Sequence, residues 1–184
     1  MTTVPSGSRA RTRQAILDAA VEVLSRNPGA PLGEVAAAAD VGRTTLHRYF
    51  PERSDLIAGL KEEVSRRFRE VRERARSDDG TGAGEIRRLC QEYFELGDVL
   101  SLIFREQIDL EGDDEPDWDD GFEAVVDRGH RDGSIDPELP AVWVQNLMWS
   151  QLYAGWNYVA EVGVTRHEAM RLVLRSMEGA ITPR

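Results

Sequence analysis

A polar interruption between two short helical patterns constrains the fold of this chain more than any other feature. Residues 33–39 are rich in alanine, and residues 44–50 place apolar side chains at helical spacing. The sequence Asp-Val-Gly at 40–42 breaks the pattern, and Pro51 ends the second helix because proline has no N–H to donate. Two short helices joined by a tight turn that contains glycine predict a helix-turn-helix.

Four consecutive alanines in the first of these helices indicate close packing. Residues 36–39 have small side chains, which let the second helix approach, whereas a large side chain at the contact would separate the two helices. The second helix then exposes side chains that can bond to phosphates or base edges, namely Arg43, Thr44, His47 and Arg48. A helix pair alone is equally compatible with a purely structural role.

Residues 41–56, with the sequence VGRTTLHRYFPERSDL, resemble the DNA-binding signature of the TetR family of transcriptional repressors. The positions that match the family pattern are Val41, Thr45, Leu46, Tyr49, Phe50 and Leu56, with Arg53 where the family usually has lysine. The positions that depart from it are Asp40 (usually the turn glycine), Gly42 (a capping serine), Thr44 (a small residue) and His47 (a tyrosine).

The resemblance implies a DNA-binding surface, and the residue types support particular contacts. We expect Arg43 to read a guanine, because a guanidinium can donate two parallel hydrogen bonds to that base, and Thr44 to contact a base edge. The role of His47 is less defined, since it replaces a tyrosine hydroxyl, and we expect little from Pro31 or Gly33. The predicted DNA-contacting residues are Arg9, Arg11, Arg43, Thr44, Thr45, His47, Arg48, Tyr49 and Arg53.

The net charge of −10 is distributed unevenly along the 184 residues. Residues 1–76 hold 14 Lys and Arg against 10 Asp and Glu, a balance of +4, and the remainder holds 9 against 23, a balance of −14. Affinity for DNA depends on the field close to the phosphates, because salt screens charges beyond about 8 Å. A basic N-terminal part on an acidic body is therefore compatible with DNA binding.

Composition also indicates the compartment and the absence of some site types. Cys90 is the single cysteine, which excludes a disulfide framework and a cysteine-based zinc site. No run of 18 apolar residues predicts a membrane span, and residues 1–10 lack the apolar core of a signal peptide. We therefore expect a cytoplasmic protein without membrane association and without a cofactor.

Apolar periodicity predicts helices along most of the chain. The predicted helices span residues 11–25, 33–39, 44–50, 52–77, 85–96, 98–110, 122–131, 140–162 and 165–181. Residues 1–9 are expected to form a disordered arm, and the glycines at 80–84 predict a linker or loop. Whether the patterns on either side of Gly97 form one bent helix or two stays open. The charged face of the helix at 52–77 is interpreted as solvated.

The pattern at 140–162 is apolar around nearly its whole circumference, with Trp149, Leu152 and Trp156 on one side and Val144 and Met148 on another. Such a helix must be covered on all sides, and a monomer of this size has few neighbouring helices to do so. A partner subunit would supply the missing cover. The resemblance likewise implies a homodimer formed through the two C-terminal helices.

The acidic segment 111–120 has seven carboxylates in ten positions, but its spacing does not fit the calcium-loop pattern, so a solvated loop is predicted. The resemblance implies a cavity for a small-molecule effector in the C-terminal part. The candidate wall residues are Phe94, Phe104, Trp118, Phe122, Trp149, Tyr153 and Trp156, each of which is also explained by ordinary core packing. Aromatic walls suggest an apolar or planar ligand, and the many carboxylates would tolerate a cationic one.

Two other functions compete with DNA binding. An enzyme is disfavoured because none of the three histidines lies in a nucleophile or zinc motif and no phosphate-binding glycine loop is present. A helical protein-interaction module explains the helices but not the charge asymmetry.

We therefore predict an all-α protein of about nine helices, with residues 1–53 forming an arm and a three-helix DNA-binding head. Residues 54–184 are predicted to form a ligand-binding and dimerisation domain. The predicted function is that of a ligand-responsive regulator that binds a pseudo-palindromic operator as a homodimer. The family resemblance implies that it acts as a repressor.

Overall fold

The computed structural model describes residues 7–76, 80–104 and 121–183, except for the side chains of Ile103 and Phe104. Within these ranges the chain forms helices and no strand, which confirms the predicted all-α fold. The helices of the described residues are α1 (Gly7–Arg26), α2 (Leu32–Ala38), α3 (Arg43–Tyr49), α4 (Arg53–Ala75), α5 (Gly82–Glu95), α6 (Gly97–Phe104), α7 (Phe122–Asp132), α8 (Ala141–Val162) and α9 (Arg166–Ile181).

Two predicted boundaries are wrong. The helix α1 begins at Gly7, so that residues 7–9 are helical rather than part of a disordered arm. This first turn is exposed, and an exposed turn needs no apolar residues, so periodicity could not reveal it. The predicted linker is also partly helical, since Gly82 and Gly84 lie in the first turn of α5, where Thr81 Oγ1 accepts a hydrogen bond from the Gly84 N–H at 3.1 Å.

Two glycines, Gly82 and Gly97, permit close helix packing. A Cβ on Gly82 would lie 2.4 Å from the backbone nitrogen of Gly129 in α7, so only glycine allows this approach. Gly97 begins α6, and a Cβ there would lie 1.9 Å from the ring of Trp156. Because α5 ends at Glu95 and α6 begins at Gly97, the patterns on either side of Gly97 belong to two helices, with Leu96 between them.

Backbone contacts divide the described residues into two compact units. Unit 1 comprises residues 7–67 and 101–104, and unit 2 comprises residues 68–76, 80–100 and 121–183. In unit 1, α2 packs against α1 and α3. The fully or almost fully buried side chains of unit 1 include Ile16, Leu17, Leu24, Val35, Leu46, Phe50, Leu56, Leu60 and Val64.

A left-handed backbone conformation makes the turn between α2 and α3. Asp40 has φ of +52°, and it is the single non-glycine residue with positive φ among those described. The N–H of Val41 donates to the carbonyl of Ala36 at 3.0 Å, and the N–H of Asp40 donates to that of Ala37 at 3.1 Å. These two bonds form a Schellman motif, which ends α2 and redirects the chain into α3.

A buried carboxylate joins α1 to α4 within unit 1. Glu63 is 4% exposed and accepts hydrogen bonds from Gln14 at 2.8 Å, from Arg66 at 2.6 and 3.0 Å and from Arg67 at 2.7 Å. Burial by itself would raise the pKa of Glu63, but the hydrogen bonds from Arg66, Arg67 and Gln14 outweigh it and the pKa is lowered. Part of the charged face interpreted as solvated is therefore an internal network.

In unit 2, α5 packs against α7, α8 and α9, and α8 packs against α7 and α9. The inward stripe of α8 consists of Val144, Met148, Leu152 and Gly155. Cys90 is buried on α5, and burial raises the pKa of its thiol to about 12, so the side chain acts as an apolar core residue.

Exposed large apolar side chains of the described residues all lie on α8 and α9. Val142 is 67% exposed, Val162 60% and Trp143 54%, and the others are Tyr153, Tyr158 and Leu172. Unit 2 therefore leaves part of the apolar surface of α8 uncovered, as expected if a partner subunit supplies the rest of the cover.

Asp40→Gly should raise the free energy of unfolding by about 1 kcal/mol, because glycine adopts positive φ without the Cβ clash that a side chain introduces. Urea unfolding at a fixed protein concentration would measure the change. Asp40→Ala is the matched control and should lower stability, since alanine lacks the local hydrogen bonding that helps aspartate tolerate this conformation. Equal stability of all three proteins would contradict this account of the turn.

Glu63→Gln should lower the free energy of unfolding at pH 7 by about 2 kcal/mol, because neutral glutamine loses charge-assisted hydrogen bonds with two arginines. The pKa of Glu63 in the folded state lies below its ordinary value of 4.5. Its contribution is therefore fully present above that value and is lost as the pH falls through the lowered pKa. The difference between wild type and variant should accordingly shrink on acidification, measured by thermal unfolding between pH 7 and pH 3.

Glu62→Gln is the control for Glu63, since the neighbouring Glu62 side chain is 74% exposed and pairs with Arg13 at 2.9 Å on the surface. Exposed ion pairs contribute little, about 0–1 kcal/mol. A loss of stability as large as that of Glu63→Gln would show that burial is not the source of the effect.

Candidate functional site

The helix α3 presents a polar surface on unit 1. Leu46 is buried and holds α3 against the core, whereas Arg43, Thr44, His47 and Arg48 are exposed. Thr45 and Tyr49 are half-buried at the edge of this surface. One anchored apolar residue with exposed donors on either side leaves the outward face of α3 available for a partner.

A cluster of arginines around Tyr49 brings the start of α1 to the end of α3. The guanidinium carbon of Arg9 lies 5.9 Å from the centre of the Tyr49 ring, and that of Arg48 lies 5.6 Å from it. These distances suit cation–π contacts, which orient the arginines while their N–H groups stay free to bind anions. Arg11 is exposed on the same helix as Arg9.

The side chain of Arg43 lies over the backbone of α2. A Cβ on Gly33 would lie 3.1 Å from Nε and 3.2 Å from Nη2 of Arg43. Glycine at position 33 therefore leaves room for the guanidinium, although little was expected of Gly33 from the sequence. Sequence alone carries no signal for this contact, because the two residues lie on different helices.

His47 and Arg53 are both held by main-chain carbonyls. The Nδ1 atom of His47 lies 3.2 Å from the carbonyl oxygen of Pro51; since a carbonyl only accepts, Nδ1 carries the proton and Nε2 is available to a ligand. Nη1 of Arg53 donates to the carbonyl of Ala30 at 2.7 Å, and Nη2 donates to that of Pro28. Arg53 thus ties the start of α4 to the α1–α2 connection.

Unit 2 contains a cavity of about 250 Å³ between α4, α5, α7 and α8. Three aromatic side chains, Tyr93, Phe122 and Trp149, line it, together with Leu89 and Met148. The ring centres of Tyr93 and Trp149 are 4.9 Å apart, and both rings also pack on Phe68. Burial raises the pKa of Tyr93 from 10 to about 12, so its hydroxyl stays protonated even at alkaline pH.

Of the aromatic residues predicted to contact a ligand, Phe122 and Trp149 line this cavity. Phe94 instead stacks on Trp156 with ring centres 5.0 Å apart, and Tyr153 is 46% exposed on α8. The side chain of Phe104 and the whole of Trp118 lie outside the described residues. The sequence interpretation missed Tyr93, although its place on the apolar stripe of α5 marked it as buried.

The described residues form neither a metal site nor a membrane-spanning helix. No three His, Cys, Asp or Glu side chains of the described ranges come together as a metal site would require. No helix of the described residues is long and apolar enough to cross a membrane.

Comparison with known proteins agrees with this geometry. The sequence profile of the family described as "Bacterial regulatory proteins, tetR family" matches residues 16–60, which cover part of α1, all of α2 and α3 and the start of α4. The chain is 36% identical over 182 residues to the HTH-type transcriptional repressor LfrR of Mycolicibacterium smegmatis, a match that covers 97% of this chain and 94% of LfrR.

Solved structures of TetR-family regulators resemble this chain over more than nine-tenths of its length. The crystal structure of LfrR in complex with proflavine has a TM-score of 0.75 at 36% identity and covers 97% of this chain and 100% of that one. A second crystal structure of LfrR has a TM-score of 0.63 at 32% identity and covers 92% of this chain and 99% of that one. The TetR regulator SCO0520 from Streptomyces coelicolor, at 22% identity, shares the fold, with a TM-score of 0.65 and coverage of 93% and 98%.

These matches confirm the predicted family, fold and class of function. TetR-family regulators bind operator DNA as dimers, respond to small-molecule effectors and are not enzymes. The chain belongs to the TetR family of bacterial transcriptional regulators.

Proposed function

We propose that this regulator represses transcription by placing the α3 helices of a homodimer in successive major grooves of a pseudo-palindromic operator. The observation that carries this proposal is the outward face of α3, where Arg43, Thr44 and His47 are exposed beside a buried Leu46. Half-site centres about 34–36 Å apart would suit two such helices.

The geometry of unit 1 supports an individual role for each predicted DNA-contacting residue. Arg43 and Thr44, in the first turn of α3, are assigned to base edges. Thr45, His47, Arg48 and Tyr49 are assigned to phosphates or bases, and Nε2 is the atom of His47 that can take part. Arg9 and Arg11 are assigned to the DNA backbone, which guanidinium groups bind without reading sequence. Arg53 contributes by holding the head together and offers its remaining N–H donors to a phosphate.

The uneven charge supports a division of function between the N-terminal and the C-terminal part of the chain, since the C-terminal part has an acidic balance. Residues 1–53 are assigned to DNA binding and residues 54–184 to effector binding and dimerisation. The exposed apolar residues of α8 and α9, such as Val142, Trp143 and Leu172, are assigned to the subunit interface. We assign the protein to the cytoplasm, where a bacterial transcriptional regulator meets its operator.

The cavity of unit 2 is assigned to a planar aromatic effector. Tyr93, Phe122 and Trp149 offer flat apolar surfaces, and the relative LfrR has been crystallised with the aromatic compound proflavine. Such a ligand regulates DNA binding only if it binds one of two dimer states better than the other.

Arg43→Ala should weaken binding to the operator, once it is identified by selection from random duplexes, by about 5- to 150-fold. A guanine contact of this kind contributes about 1–3 kcal/mol. The substitution should also relax the preference for the base pair that Arg43 reads. Fluorescence anisotropy with operator variants at that base pair would measure both effects.

Arg26→Ala removes the same charge from the exposed end of α1, where Arg26 pairs with Glu22 at 3.1 Å, and should leave sequence preference unchanged. Full operator affinity and specificity in Arg43→Ala would contradict the assignment of Arg43.

Selection of duplexes from a random pool at two salt concentrations tests the function as a whole. The homodimer should enrich an inverted repeat, and its affinity should fall steeply as salt rises, because bound arginines displace counterions from the phosphates. If a folded dimer enriches no sequence at either salt concentration, the chain is instead a helical protein-interaction module without specific DNA binding.

A further inference from the structure

Arginines outnumber carboxylates on the wall of the unit 2 cavity. Among the described residues, four arginines and two glutamates line it, namely Arg69, Arg72, Arg76, Arg128, Glu73 and Glu85. The described part of the lining therefore has a formal charge of +2, although the C-terminal part of the sequence is strongly acidic. The sequence suggested tolerance of a cationic ligand, whereas the described lining favours an anion.

The two glutamates offer little to a cation. Glu85 is 5% exposed and accepts a hydrogen bond from Nη2 of Arg128, so its charge is already matched by an arginine. Glu73 is exposed on α4, where water screens its charge. Arg69 and Arg76 are exposed as well, so the less exposed charges of the described lining are Arg72, Arg128 and Glu85. A cation inside the cavity would thus meet a surplus guanidinium group and no unmatched buried carboxylate among the described residues.

Arg72 lines the cavity and carries a buried N–H donor that lacks an acceptor within the described part of the chain. Its Nη1 atom is buried and has no hydrogen-bond partner among the described residues, although the side chain also bonds to Tyr93. A buried charged donor without an acceptor is costly. A carboxylate would supply that acceptor and would form charge-assisted hydrogen bonds with the guanidinium.

Tyr93 and the cavity size narrow the ligand further. The hydroxyl of Tyr93 is protonated at neutral pH, as that of an ordinary tyrosine is, and burial raises its pKa further to about 12, so it can donate to the same anion. A cavity of about 250 Å³ is smaller than the pockets of about 300–1,000 Å³ that hold drug-sized ligands, and one of about 150 Å³ already admits benzene. This volume suits a ligand of one or two rings.

We propose that the effector is an aromatic carboxylate of one or two rings. Its ring packs among Tyr93, Phe122 and Trp149, and its carboxylate bonds to Arg72. This inference rests on the proposed function, because it names the class of effector for the same cavity.

The test compares three probes on the full-length homodimer by calorimetry: 2-naphthoate, its uncharged analogue 2-naphthamide, and the planar cation proflavine. We expect 2-naphthoate to bind about tenfold or more tightly than 2-naphthamide, and more tightly than proflavine, and to change operator affinity. Comparing acid with amide isolates the carboxylate, since the two share the ring system.

Arg72→Met should abolish the preference for 2-naphthoate while leaving the affinity for 2-naphthamide within about twofold, which would also show that the cavity remains folded. Arg72→Lys should restore part of the preference. Arg74→Met is the matched control on the same helix, because Arg74 pairs with Glu92 at 2.7 Å and does not line the cavity; it should keep the preference of the wild type.

Tighter binding of proflavine than of 2-naphthoate, equal binding of 2-naphthoate and 2-naphthamide, or an unchanged preference in Arg72→Met would each overturn the proposal. Operator selection is measured without any ligand, so its failure would contradict the proposed function separately. Enrichment of an operator together with any of the three adverse results would overturn the effector class alone.

Discussion

The left-handed turn at Asp40 is the constraint on which the proposed DNA-binding surface depends. Because the turn bonds the N–H groups of Asp40 and Val41 back to α2, the chain leaves that helix in a defined direction. Leu46 can then enter the core while Arg43 and Thr44, in the first turn of α3, remain exposed. A different backbone conformation at this one residue would rotate the polar face of α3 away from its present orientation.

Arginines act differently in the two units. In unit 1, Arg66 and Arg67 neutralise the buried Glu63 and so join α4 to α1 through Gln14, while the arginines of α3 stay exposed. In unit 2, Arg128 neutralises the buried Glu85, but Arg72 keeps a buried nitrogen without a partner among the described residues. The first arrangement stabilises the fold, and the second leaves a requirement that an anionic ligand can satisfy.

Helical periodicity predicted where the helices lie but not which surroundings their side chains have, and the two outcomes have different physical origins. Helical periodicity located the helices within a few residues, because one buried stripe repeats at every turn. The family resemblance implied a ligand cavity with Phe122 and Trp149 among its candidate wall residues, but periodicity could not separate them from Phe94, which stacks on Trp156 instead. Periodicity also assigned the arginines of α4 to a solvated face, since a charged residue has the same pattern whether it faces water or a cavity.

The sequence by itself determined the all-α fold, the helix-turn-helix and the family, because periodicity, turn residues and the signature at 41–56 are local properties. The tertiary structure alone decided which side chains meet: Arg9 with Tyr49, Gly33 with Arg43, and Arg72 with Tyr93. These contacts join residues on different helices. Their distances depend on how the helices pack, and the pattern along any single helix carries no record of that packing.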